Sequence, residues 1–235
     1  MTNNLQIIKQ LQNKFGEFEY KINDNKEVTD LDLSDKGVKT ADLKLIGGLT
    51  SLEELCLNNN EITTIQHLDN LTSLDWLEFD NNQITKIEGL EKLINLKHIN
   101  LNMNEITKIQ GLDNLTKLEE LKLSYNQITT IQGLDKLTKL RGLHLGWNKI
   151  TKIEGLEKLT ELDWFSLESN NITEIQGLYN LIKLRVFDLS ENQITEIKGL
   201  EKLTKLQTLR LYVNKIPKDK LTMFKFKNSK IDIYV

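Results

Sequence analysis

The sequence predicts a right-handed α/β solenoid that is built around one parallel β-sheet. The first observation behind this prediction is a constant interval at which asparagine recurs, as Asn60, Asn82, Asn104, Asn126, Asn148, Asn170, Asn192 and Asn214. The second is the pattern L-x-x-L-x-L-x-x-N that ends at each asparagine, where L stands for Leu, Ile or Phe. A fixed period of this kind is typical of structural repeats that stack on one another. We expect about nine such coils.

Each coil divides into a strand and a return limb. The Leu-x-Leu segment predicts a short strand, because alternate residues of a strand point to opposite faces of the sheet. Its inner side should pack on leucines, isoleucines, Phe79 and Phe165. The return limb, such as 89–96, has apolar residues three apart, which favours one or two turns of 3₁₀ helix on the convex side. The sheet should then line the concave side. A parallel β-helix is the alternative, but its coils lack the leucine-spaced limb.

The repeated asparagines and glycines have a structural explanation. A buried asparagine amide offers two donors and two acceptor sites. We expect it to bond the backbone of its own turn and of the next coil. Its loss would leave backbone groups unpaired at about 1–3 kcal/mol each. The glycines at 89, 111, 133, 155, 177 and 199 fit a backbone bend that needs no Cβ, and His67 replaces this glycine once.

The two ends of the chain depart from the repeat. Residues 1–30 predict an N-terminal cap of one amphipathic helix, ended by Gly16, and a hairpin. The repeats follow at 31–214, and their first coil is longer than the others and has Lys36 in place of the asparagine. Residues 215–235 predict a C-terminal cap. We expect Leu221, Met223, Phe224 and Phe226 to cover the last coil, followed by a strand through Ile231, Ile233 and Val235.

The pattern L-x-x-L-x-L-x-x-N-x-I-T-x-I-x-G-L resembles the 22-residue class of leucine-rich repeats. That class includes the regulatory subunit of type 1 protein phosphatase, and the repeats of bacterial internalins look similar. The resemblance covers about 31–214. It implies a curved, non-catalytic scaffold that binds another macromolecule on its concave side. Internalins are exported adhesins, whereas no export signal or wall-anchor motif is visible in this sequence. Residues 215–235 do not resemble the C-terminal cap of the phosphatase regulator.

Composition narrows the class of partner. The formal net charge is −3, which gives no support to a nucleic-acid partner. No run approaches the roughly 18 apolar residues that span a membrane. Cys56 is the only cysteine, so no internal disulfide can form. Because the first residues also lack the pattern of a signal peptide, we expect a cytoplasmic monomer that binds a protein. The alternative function is an exported, internalin-like adhesin or pathogen-surface protein.

The outward strand positions predict where a protein partner binds. All three tryptophans fall at or beside these positions, and exposed aromatic groups often mark binding sites. Acidic residues outnumber basic ones there, which suits a basic or amphipathic segment. We predict that the partner-binding residues are Trp76, His98, Glu120, Tyr125, His144, Trp147, Trp164, Asp188 and Arg210.

Two glycines indicate the centre of this site. Gly142 and Gly146 flank His144 and should leave a shallow depression, with Trp164 as one wall. Trp76 forms a second anchor about 19 Å away, at four strand spacings. The alternative is that the tryptophans merely cover neighbouring strands or fold under the caps.

The sequence predicts no catalytic residue, no cofactor and no metal. His98 and His144 lie about 10 Å apart along the sheet, too far to share one ion. Ser166, His144 and Asp188 occupy adjacent strands, but flat strands provide no oxyanion hole. The nearby Glu54 and Glu78 should disfavour the thiolate of Cys56.

Overall fold

The computed structural model describes residues 3–227 and 230–235. The chain begins with helix α1 (Asn3–Phe15) and strands β1 (Glu19–Ile22) and β2 (Val28–Asp32). A 3₁₀ turn (Thr40–Asp42) and helix α2 (Leu43–Ile46) follow. The next strands are β3 (Glu54–Cys56), β4 (Trp76–Glu78), β5 (His98–Asn100), β6 (Glu120–Lys122), β7 (Gly142–His144), β8 (Trp164–Ser166), β9 (Val186–Asp188) and β10 (Thr208–Arg210). Helix α3 (Lys218–Lys227) and strand β11 (Asp232–Tyr234) end the chain.

The strands form one sheet in the order in which they occur in the sequence, from β1 to β11. β1 pairs with β2 in an antiparallel hairpin, and every later neighbour is parallel. The register follows the repeat, since Glu120 pairs with Gly142 and Gly142 pairs with Trp164. The predicted solenoid with a parallel sheet is therefore confirmed.

The core lies between the sheet and the return limbs. The middle residue of each strand from β3 to β10 is at most 1% exposed. Phe79 and Phe165 are fully buried as expected, and Phe187 joins them, with its ring stacked on Phe165 at a centroid distance of 5.3 Å. One continuous apolar column therefore holds neighbouring coils together.

The asparagine ladder ties each coil to its neighbour. Asn126 Nδ2 donates to the carbonyl oxygens of Leu123 and Ser124 in its own turn, at 3.2 Å each. It also donates to Leu101 O at 2.9 Å, and its Oδ1 accepts from Ile106 N at 2.9 Å. The neighbour that it bonds is thus the preceding coil rather than the next coil. These bonds satisfy backbone groups that have left the sheet.

The recurring glycine is needed for two reasons. Gly133 has a φ of +72°, in the left-handed region that disfavours a side chain. A Cβ there would also lie 2.7 Å from Ile109 O in the preceding coil. His67 has the same left-handed φ, +63°, and its carbonyl oxygen faces Gly47 of the longer first coil. At this position the close approach of the two coils is therefore accommodated by Gly47 of the preceding coil.

The return limbs consist of separate turns. Leu93 N donates to Leu90 O at 2.9 Å and Leu96 N donates to Leu93 O at 3.1 Å, the spacing of 3₁₀ hydrogen bonds. In the first coil, the limb extends into the 3₁₀ turn and α2. That coil runs from Asp30 to its register partner Glu54, and its extra length leaves room for the longer limb.

The ends of the solenoid are covered unequally. At the N-terminal end, α1 buries Ile7, Ile8 and Leu11 against the core. At the C-terminal end, Phe224 is partly buried, but Met223 is 60% exposed, so the expectation that Met223 covers the last coil is wrong. The side chain of Phe226 lies outside the described residues. The last strand was correctly predicted and pairs with β10.

Candidate partner-binding face

The side of the sheet opposite the core forms the candidate site, which we call the strand face. It consists of the first and third residues of each strand, which alternate with the buried middle residue. In β8, Trp164 is 41% exposed whereas the adjacent Phe165 is fully buried. The side chains of the strand face therefore point away from the core and do not pack in it.

Five predicted residues form a continuous row across β4 to β8. The ring of Trp76 lies 4.4 Å from that of His98, and His98 Nδ1 lies 3.3 Å from Glu120 Oε2. The other carboxylate oxygen of Glu120 lies 3.4 Å from His144 Nε2. The ring of His144 lies 6.1 Å from that of Trp164. Although the two histidines are separated by a strand, one carboxylate reaches both.

The charges in this row are partly balanced. Lys122 Nζ lies 3.6 Å from Glu120 Oε1, so a cation shares the central carboxylate. Burial lowers the pKa of His144 below its usual value, and Lys122 acts in the same direction while Glu120 opposes both. His144 is therefore mainly uncharged at neutral pH. An uncharged imidazole does not neutralise the negative charge of Glu120.

A cavity of about 380 Å³ opens over Gly142 beside His144, but Gly146 does not line it, so only one of the two glycines contributes to the predicted depression. Glu120 and Trp164 are the register partners of Gly142 on either side, so they face each other across a position without a side chain. His98 and His144 line the same cavity. Its far end is lined by three charged residues that precede the strands, Glu119, Arg141 and Asp163.

A second aromatic group lies at the edge of the strand face. Tyr125 and Trp147 stack with their ring centroids 5.1 Å apart and their planes 8° apart. They are 49% and 44% exposed, and Met103 beside them is 47% exposed. All three have a φ between +52° and +57°, a conformation that bulky side chains rarely adopt. The same turn position has a left-handed φ in other coils, such as +53° at Asn81 and at Glu191, so this conformation belongs to the repeat. The exposure of the three apolar side chains is what indicates a role outside the core.

The remaining two predicted residues are paired with each other. Arg210 Nη1 donates to Asp188 Oδ2 at 3.2 Å, and Asp188 Oδ1 accepts from Ser190 N at 3.0 Å. Asp188 is only 6% exposed. This pair lies beyond β8 and outside the central row, and it offers a partner mainly the half-exposed guanidinium of Arg210.

The N-terminal end of the strand face is acidic. Asp32, Glu54 and Cys56 line a cavity of about 460 Å³ beside the hairpin. Burial raises the pKa of Cys56 to about 12, and the surrounding carboxylates, Asp32 and Glu78 first, add to this effect. The thiolate is disfavoured, as the sequence predicted, so this cavity is not a nucleophilic site.

Sequence reasoning missed the charged residues that precede the strands. Asp163, which lines the central cavity, is paired with Arg185, and this partner lowers the pKa of Asp163 although burial opposes it. Lys97 Nζ lies 2.8 Å from Asp75 Oδ2 in the same way. Opposite charges separated by one full repeat were the available signal, because that spacing places side chains on adjacent coils.

The geometry does not assemble a catalytic triad from the residues considered in the sequence. His144 Nε2 faces Glu120, and the carboxylate of Asp188 bonds Arg210 and Ser190. Across residues 3–227 and 230–235, no group of three or more His, Cys, Asp or Glu is placed to hold a metal ion. Within the same ranges, no helix has the length and apolar character needed to cross a membrane.

Two family models match the chain. The model described as "Leucine Rich repeats (2 copies)" matches residues 72–114, 116–158 and 182–225. The model described as "Leucine rich repeat" matches residues 26–84. Proteins of this kind are typically non-catalytic scaffolds. No curated protein sequence matches the chain.

Several solved structures are similar to the solenoid. An internalin (inlF) of Listeria monocytogenes is 29% identical with a TM-score of 0.66, covering 87% of this chain and 66% of the internalin. A leucine-rich repeat protein of Leptospira interrogans is 28% identical with a TM-score of 0.68, covering 88% of this chain. The chain spans only 60% of the Leptospira structure. The ectodomain of the Arabidopsis thaliana receptor kinase GASSHO1/SCHENGEN3, in complex with CASPARIAN STRIP INTEGRITY FACTOR 2, is 27% identical with a TM-score of 0.68. That likeness covers 81% of this chain and 25% of the ectodomain.

Proposed function

Because the chain belongs to the leucine-rich repeat family, we propose that it is a non-catalytic scaffold that binds a protein partner on its strand face. The observation that carries this proposal is the row from Trp76 to Trp164. It places two tryptophans, two histidines and one carboxylate on the side of the sheet that the core does not use. Tryptophan contributes strongly to interfaces when a partner excludes water around it.

The two tryptophans of the row differ in how they support this proposal. Trp76 Nε1 donates to Glu78 Oε1 at 2.8 Å, and its ring packs on His98, so it is held in place before a partner arrives. Trp164 is 41% exposed at the edge of the cavity. Trp164 is therefore the stronger candidate for the energetic centre of the interface. Trp76 serves as a preorganised second contact.

The charge of the strand face favours a basic or amphipathic protein segment. Carboxylates dominate its N-terminal end, where burial and then Glu78 raise the pKa of Asp80. Burial is the first cause of this rise, and the part that comes from Glu78 reflects two neighbouring carboxylates, which a cationic segment would stabilise. Such complementarity speeds association and selects partners more than it increases affinity.

The likeness to internalins favours a second candidate function, that of an exported adhesin. The internalin inlF is 29% identical to this chain, and the likeness covers 87% of the chain. The two candidates share the strand face and differ in the location of the partner. The cytoplasmic location expected from the sequence stays a prediction.

Partner capture tests the proposed function. The immobilised chain and its Trp164→Ala variant are exposed to a lysate of the source organism and, separately, to the surface proteins of host cells. Tyr179→Ala is the matched control, since Tyr179 is 58% exposed but lies on a return limb. We expect one protein to be retained by the wild type and the control, and at least about tenfold less by Trp164→Ala. Equal retention by Trp164→Ala would contradict a site on the strand face.

A further inference from the structure

The cavity over Gly142 has two unlike walls. Trp164 supplies an aromatic face, and Glu120 supplies a carboxylate two strands away, about 10 Å at the usual strand spacing. Glu120 leans over the glycine, because its Cγ lies 3.3 Å and its Oε1 3.8 Å from the position that a Cβ on Gly142 would take. His144 Nε2 lies 3.5 Å from the same position, so a flat group that enters between the two walls packs beside the imidazole of His144.

We propose that this cavity, which we call the Gly142 slot, binds the guanidinium group of an arginine side chain from the protein partner. The inference rests on the proposed function and names the chemistry that the strand face recognises. A guanidinium is planar, so it can stack on the indole of Trp164 while its N–H groups donate to the carboxylate of Glu120. The indole wall matches the planar shape of the guanidinium, and the carboxylate wall matches its positive charge and its N–H donors.

The lining of the slot carries more acidic than basic residues, which favours a cation over an anion. Glu119, Glu120 and Asp163 line it against one cationic lining residue, Arg141. Asp163 is already paired with Arg185, and Lys122 stays 3.6 Å from Glu120 Oε1. Glu120 faces Trp164 across Gly142, and an incoming cation would reach its carboxylate in competition with His98, His144 and Lys122.

The aromatic wall of the slot favours arginine over lysine. A lysine ammonium is a compact and strongly hydrated charge that gains less from an indole face. Arginine is more weakly hydrated and keeps its charge at every physiological pH. A neutral aliphatic group would partly desolvate the carboxylate of Glu120 without offering it a hydrogen-bond donor, which is unfavourable.

The test uses the three tryptophans as reporters, because each gives one indole signal in a ¹H–¹⁵N spectrum. The probes are N-acetyl-argininamide and its neutral isostere N-acetyl-citrullinamide, and Trp164→Phe identifies the signal of Trp164. We expect the arginine probe to shift that signal in a saturable manner, and the citrulline probe to bind at least about tenfold more weakly. A Trp164 signal that does not respond, or that responds equally to both probes, would overturn the proposal.

Three variants of the full chain sharpen the test. Gly142→Thr fills the slot, and the fold accommodates threonine at this register position, since β10 carries Thr208 there. We expect it to abolish the shift, and Glu120→Gln to weaken binding about fivefold or more. Lys122→Gln should tighten binding, because it removes the competing cation. Full binding by Gly142→Thr, or weaker binding by Lys122→Gln, would show that the probe binds elsewhere.

Failure of this proposal can be distinguished from failure of the proposed function. If a protein partner is captured in a manner that depends on Trp164 while neither probe shifts its indole signal, the strand face remains the interface and the arginine slot is refuted. If the arginine probe binds the slot but capture does not depend on Trp164, the slot is supported and the proposed interface is refuted.

Discussion

In β8, the adjacent residues Trp164 and Phe165 lie on opposite sides of one sheet. Phe165 is fully buried and stacks on Phe187 of the next coil, whereas Trp164 is 41% exposed and borders the cavity over Gly142. The inner side repeats nearly the same residue in every coil, and the outer side changes from coil to coil. Stability is therefore concentrated in the repeated positions, and recognition is expected from the variable ones.

The largest expected effect is a difference in the free energy of unfolding between variants on the two sides of β8. Phe165→Ala should lower the free energy of unfolding by about 3–5 kcal/mol, because it removes a buried ring and leaves a cavity. Trp164→Ala should change it by less than about 1 kcal/mol, since much of that ring already faces water. Urea denaturation of both variants measures the difference. Equal losses would mean that Trp164 belongs to the core packing rather than to a binding face.

The asparagine ladder offers a second way to sharpen the comparison. Asn126→Ala removes the acceptor for Ile106 N and the donor for Leu101 O, and both groups are in the buried turn of the preceding coil. We expect a loss of about 3 kcal/mol, as unpaired buried groups cost about 1–3 kcal/mol each. Asn171→Ala is the control, because Asn171 is exposed, and it should change stability by less than about 0.5 kcal/mol. A shift of similar size in both variants would argue against a structural ladder.

The glycine bend gives a smaller effect with two separable causes. Gly133→Ala should cost about 2 kcal/mol, from a left-handed φ and from a Cβ placed 2.7 Å from Ile109 O. Gly37 has a similar φ of +67° but no atom within 4 Å of such a Cβ. Gly37→Ala should therefore show only the conformational part, about 1 kcal/mol. Thermal or urea unfolding of the pair checks this, and an equal cost would remove the role of close coil contact.

The structure at the repeated positions could be predicted from the sequence because each coil contains the same sequence pattern. The register of the sheet, the buried leucines and the bonded asparagines all follow from a pattern that recurs eight times. The ends had no such repetition. There the sequence predicted α1, the hairpin and the last strand, but neither α3 nor the exposure of Met223, since a few apolar residues do not reveal a short helix or which of its sides is covered.

The sequence predicted which residues lie on the strand face but not which of their side chains contact one another. The repeat period placed Trp76, His98 and Glu120 on adjacent strands. It did not show that the carboxylate of Glu120 would contact both His98 and His144, because side-chain rotamers are not encoded in the period. Asp188 was expected to be available, but its pairing with Arg210 buries it.

The smallest expected effect is a pH dependence that originates on the outer side. His144 is partly buried beside Trp164, and burial lowers its pKa below 6.5, with Lys122 assisting and Glu120 opposing. The unfolded chain then binds more protons than the folded chain as the pH falls through 6.5, so this contribution to stability is present above 6.5 and lost below it. His144→Gln should flatten the urea-measured stability between pH 7.5 and 5, about the range in which histidine titrates. Lys122→Gln should flatten it less, because burial remains. An unchanged slope in His144→Gln would assign the acid sensitivity to other groups.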